Sequence, residues 1–82
     1  VAPGVTTRWH HLEGTAERYL IQAGQGEAHV GDFAPQAVQP GDVVLIPAGV
    51  RQRIHNTGSE DLVFLAICSP RFMVDAYVDL EA

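Results

Sequence analysis

The stretch Gly41-Asp42-Val43-Val44-Leu45-Ile46-Pro47-Ala48-Gly49-Val50-Arg51-Gln52-Arg53-Ile54-His55-Asn56 decides how this chain is read. Its apolar segment Val43–Ile46 is bracketed by Pro40-Gly41-Asp42 and Pro47-Ala48-Gly49. Both brackets are turn signals, because proline presets its own φ and glycine takes a positive φ at little cost. After the second turn, Gln52, Ile54 and Asn56 fall on one face of an extended segment, with Arg53 and His55 on the other. The stretch therefore reads as strand, tight turn, strand, with Gln52 aimed inward.

The same punctuation runs outward in both directions. Glu13-Gly14-Thr15, Gly24-Gln25-Gly26, Gly31-Asp32 and Asn56-Thr57-Gly58 are further turns. Between the turns, strands are expected near Val5–Leu12, Glu17–Ala23, Glu27–Val30, Ala37–Gln39, Val43–Ile46, Gln52–Asn56 and Leu62–Cys68. Glu17, Tyr19 and Ile21 share a face. Leu62–Cys68 is apolar on both faces and is expected to be buried between a barrel interior and a second layer. Helical signals are confined to Met73–Leu80, with room for a turn or two after Pro70. Many short strands at regular spacing predict an all-β sandwich or barrel of antiparallel strands. With 82 residues, one domain over 1–82 is the expectation.

Composition narrows the function. Ten acids against five basic residues give a net charge of −5, and all five basic residues are arginines. A chain without lysine or a basic run offers nothing to neutralise phosphates, so neither nucleic acid nor an anionic membrane surface is an expected partner. No apolar run approaches the roughly 20 residues of a membrane span. The chain opens at Val1 without a basic-then-apolar signal pattern, and Cys68 has no second cysteine to pair with; together these point to a cytoplasmic protein. Charged residues are only 18% of the total, which predicts that some exterior surface is covered by a second copy, most simply in a homodimer.

Two spacings resemble the signature motifs of the cupin superfamily. The second motif there runs Gly, five residues, Pro-x-Gly, two residues, His, three residues, Asn; here Gly41, Pro47-Ala48-Gly49 and Asn56 match, and Gln52 stands in place of the His. In the first motif Gly4, His10, Glu17 and Gly24 sit at matching intervals, and Leu12 stands in place of the second His. The resemblance implies a cupin-type jelly-roll β-barrel with a pocket between its sheets. It also implies pairing of copies through their sheets and an N-terminal strand or two that this chain is short of.

In metal-binding cupins three histidines and a glutamate hold a divalent transition metal. The resemblance thus makes His10, Glu17 and Gln52 the metal-ligand candidates for Fe, Mn, Ni, Cu or Zn, with two of the usual ligands replaced. A register one residue over would instead turn His11 and Glu13 inward with Glu17 and Gln52; the Gly4 spacing and an inward Leu12 favour the His10 register. An inward Glu17 needs a partner, and Arg18 and Arg53 are the candidates. Asn56 is expected to serve the following turn, and Cys68 to act as a small buried hydrophobe.

Three functions compete. The first is a metal-dependent cupin enzyme of oxygenase, isomerase or lyase type, or a metal-free version with His10 as general base and Tyr19 or Glu17 as acid. The second is a non-catalytic small-molecule-binding module with a degenerate metal site. The third is a purely structural subunit. One fold hosts all of these, so the site must choose between them.

Overall fold

The structure is a computed structural model, described over residues 1–81. Eight strands form in chain order: β1 His10–Leu12, β2 Ala16–Ala23, β3 Gly26–Val30, β4 Gln36–Val38, β5 Val43–Ile46, β6 Gln52–Asn56, β7 Val63–Ser69 and β8 Tyr77–Asp79. One sheet has the order β4-β3-β6-β1-β8 and the other β5-β2-β7, all pairs antiparallel. The two sheets enclose one core of Tyr19, Ile21, Ala28, Val38, Ile46, Ile54 and Leu62. Ile21, Tyr19 and Glu17 alternate with exposed or half-buried neighbours along β2, so the two-residue period decides which side chains face inward.

The motif turns do what their glycines require. Gly41 sits at φ +95° and Gly24 at φ +84°. Gly24 is also crowded: a Cβ there would lie 2.5 Å from the Asp61 carbonyl oxygen and 2.9 Å from the Leu62 Cα. Asn56 is fully buried and acts as a latch. Its Nδ2 donates to the carbonyls of Val1 (2.8 Å) and Glu60 (2.7 Å), and its Oδ1 accepts from the Gly58 N–H (2.8 Å). The turn role expected of Asn56 is present, together with a tie to the N-terminal residue.

Two expectations are corrected and a third is extended. The strand at Val5–Leu12 is regular only from His10. Its first part runs beside β6 through separate bonds, among them Thr7 N–H to the Ile54 carbonyl and Asn56 N–H to the Val5 carbonyl. Met73–Leu80 holds a single 3-10 turn, Val74–Ala76, and then becomes β8. There Leu12, His11 and His10 pair with Tyr77, Val78 and Asp79, because the free edge of β1 offers backbone partners that a short isolated helix lacks. Finally, β7 is covered on one face only: Val63, Leu65 and Ile67 are 46–48% exposed. No second layer among the described residues lies over them.

Candidate functional site

Strand register assembles the site. His10 lies directly opposite Gln52 on β1 and β6, and Glu17 directly opposite Cys68 on β2 and β7. Opposed residues of an antiparallel pair point to the same face, so each pair projects together. A cavity of about 380 Å³ opens beside them. His10, Glu17 and Cys68 supply its polar lining, and Leu12, Ala66, Phe72 and Tyr77 its apolar walls.

Within this region, polar groups are left without partners. Glu17 is 6% exposed, and its Oε1 has no hydrogen-bond partner; Gln52 is 1% exposed, and its Nε2 has none. These are the two orphaned buried side-chain atoms among the described residues. Neither candidate arginine reaches Glu17. Arg18 points the other way from β2, and Arg53 Nε donates to His29 Nδ1 at 2.8 Å. The expected ion pair is therefore absent, and an acceptor oxygen is left unpaired, which in most buried sites costs free energy. A depression of about 410 Å³ lies elsewhere, beside Gln25, Gln39 and Thr57, but its lining holds neither orphaned group.

The remaining partners are set by geometry. His10 Nδ1–H donates to the Arg8 carbonyl at 2.8 Å, leaving Nε2 as the ring's open nitrogen. The imidazole stacks on the Tyr77 ring, with centroids 5.0 Å apart and planes at 22°. The Tyr19 hydroxyl donates to Gln52 Oε1. Burial, and then the Glu17 charge, hold the Tyr19 phenol far above its ordinary pKa, so it keeps its proton. Burial and the Glu17 charge likewise push the Cys68 thiol up.

The sequence candidates separate accordingly. His10 and Glu17 line the cavity, whereas Gln52 and Tyr19 lie behind its lining and bond to each other. His11 and Glu13 pair on the outside at 2.7 Å, and Leu12 is 3% exposed, as the His10 register requires. Trp9 lies outside as well, under the guanidinium groups of Arg51 (4.6 Å) and Arg53 (4.4 Å). Four lining residues, Ala66, Cys68, Phe72 and Tyr77, were not among the sequence candidates. Cys68 was recoverable, since it shares parity with Phe64 and Ala66 along β7; Phe72 and Tyr77 were not, because the tail's path depends on β8 docking.

The donor set does not fit a tightly held transition metal. Gln52 is a neutral ligand at best, and its carbonyl oxygen already accepts from Tyr19. What remains at the cavity is one imidazole, one carboxylate and the Cys68 thiol, whose proton is held by burial, and no group of three His, Cys, Asp or Glu side chains among the described residues is placed to share an ion.

Comparison with known proteins places the fold. The Cupin domain family matches residues 1–68. An oxalate-binding protein of Thermotoga maritima is 39% identical over 66 residues, covering 79% of this chain and 53% of the relative. The crystal structure of a predicted oxalate decarboxylase from Thermotoga maritima superposes with TM-score 0.77 at 35% identity, over 83% of this chain and 58% of that one. The oxalate decarboxylase of Lactobacillus farciminis, in complex with formate, superposes with TM-score 0.85 at 26% identity, over 98% of this chain and 24% of that one. The chain thus spans little more than half the length of the curated relative it matches. With the family match extending over most of its residues and the two-sheet barrel in place, this chain belongs to the cupin family.

Proposed function

We propose that this chain is a small-molecule-binding cupin whose ligand occupies the cavity beside Glu17 and His10. The observation that carries this reading is the Glu17 Oε1: a carboxylate oxygen, nearly excluded from solvent, without a partner, at the wall of a cavity of about 380 Å³. A ligand donor supplies the bond that the fold withholds. The names of the relatives, an oxalate-binding protein and a predicted oxalate decarboxylase, support a small-molecule ligand.

Of the competing functions, binding is better supported than turnover. His10 and Glu17 are the cavity groups suited to moving a proton near neutral pH; the Cys68 thiol holds its proton through burial, and the Tyr19 proton is engaged by Gln52. A metal-dependent enzyme would need ligands beyond His10 and Glu17. The test is thermal stabilisation by a panel of small metabolites, with and without Mn, Fe, Ni, Cu or Zn, alongside elemental analysis of the purified chain and of His10→Ala. Stabilisation without metal supports the binding module. About one metal per chain, lost in His10→Ala, would restore the enzyme reading.

The homodimer reading is supported by the outer face of β5-β2-β7, where Val43 (60%), Leu45 (57%), Leu65 and Ile67 stand exposed together. Sedimentation decides it, and an 8.9 kDa particle would overturn it.

A further inference from the structure

We propose that the cavity takes a small organic amine, held as its ammonium ion, and disfavours a bare carboxylate. This rests on reading the cavity as a ligand site and goes on to name the chemistry it selects. Two groups of the lining accept hydrogen bonds, while the half-exposed Cys68 thiol and the exposed Tyr77 hydroxyl add only neutral donors. Glu17 offers Oε1, and His10, with Nδ1–H given to the Arg8 carbonyl, offers Nε2. The unpaired donor, Gln52 Nε2, lies behind the lining rather than in it.

Neither lysine nor arginine is built in to receive an anion. The chain has no lysine, and none of its arginines lines the cavity. Arg8 is spent on Asp79 at 2.8 Å, Arg51 on Asp32 at 2.7 Å and Arg53 on His29, while Arg18 and Arg71 are exposed. A carboxylate ligand entering here would set a second negative charge against Glu17 with no lysine or arginine to offset either. An ammonium group brings three donors and the opposite charge. The Tyr77 and Phe72 side chains line the same cavity and offer apolar surface to cover an alkyl body.

The test uses three probes of one size: n-butylamine, 1-butanol and butyrate, titrated into the chain at neutral pH and followed by amide chemical shifts. Butylamine is expected to bind at least about tenfold more tightly than butanol, with butyrate the weakest; in Glu17→Gln the amine and the alcohol converge. A second readout needs no variant: butylamine protects the Cys68 thiol from alkylation and butyrate does not. Butyrate or oxalate binding as tightly as the amine, or an amine advantage that survives in Glu17→Gln, overturns the assignment. If the metabolite panel yields a cavity ligand while all three probes fail, the amine assignment is overturned and the binding reading stands. Failure of panel and probes alike overturns both.

Discussion

The Tyr19 hydroxyl donates its hydrogen bond to Gln52 Oε1, joining the inner face of β2 to the inner face of β6 across the barrel. Gln52 occupies the position where the cupin motif carries a metal-binding histidine. In this chain the position is turned into a strut between the sheets, and its carbonyl oxygen is no longer open to the cavity.

Removing the Tyr19 hydroxyl should leave Gln52 with both amide atoms buried and unpaired. Tyr19→Phe is expected to lose about 1–3 kcal/mol of stability in urea denaturation, with little change in the unfolding slope.

The two motif glycines should respond unequally to alanine. Gly41 has positive φ and open space around a Cβ, so Gly41→Ala is expected to cost about 1 kcal/mol. At Gly24 the same φ strain meets the Asp61 carbonyl and Leu62 backbone, and Gly24→Ala should cost about 3 kcal/mol or more. Denaturation midpoints of the two variants measure the gap.

Asn56→Ala should cost about 2–4 kcal/mol, since it unpairs the Gly58 amide and the Glu60 carbonyl and leaves the Val1 carbonyl with the Leu62 N–H alone. Hydrogen exchange should accelerate first around Gly58 and the N-terminal residues, the segments the latch holds.

Cys68 should alkylate slowly near neutral pH, because burial and then Glu17 disfavour its thiolate. The native state holds this proton more firmly than the unfolded chain does. The resulting stabilisation is complete below the unfolded thiol's pKa and is lost as pH rises through the folded value. Glu17→Gln removes the smaller of the two causes, so alkylation by iodoacetamide should quicken in that variant while staying slower than for a free thiol.

Asp79 is held below the usual carboxylate range by its bond from the Glu81 backbone and by Arg8. Its contribution is present above the ordinary carboxylate pKa and fades as pH falls through the lower folded value. Tail amides of β8 should therefore lose exchange protection in acid before those of β2 do. Equal protection at low pH would separate β8 docking from this pair.

Alternation and turn chemistry made most of the barrel legible in the amino-acid sequence. Glu17, Tyr19 and Ile21 face inward because a strand repeats every two residues, and Gly24, Gly41 and Pro47-Ala48-Gly49 mark turns through φ alone. These are local properties, readable without knowing what packs where. The cupin spacing from Gly4 to Asn56 then placed His10 and Glu17 on a common interior, and the cavity lining contains both. What the tertiary structure decided depends on partners far apart in the chain. Whether Glu17 meets an arginine is set by which face of β2 carries Arg18 and by His29 capturing Arg53. Whether Gln52 is free to bind a ligand is set by Tyr19, 33 residues away. Met73–Leu80 carries a local pattern compatible with a turn of helix, yet Tyr77–Asp79 becomes a strand because the open edge of β1 supplies hydrogen-bond partners that a short helix cannot supply for itself. That docking brings Tyr77 against His10 and closes the cavity wall, a contact between opposite ends of the chain that no local spacing encodes.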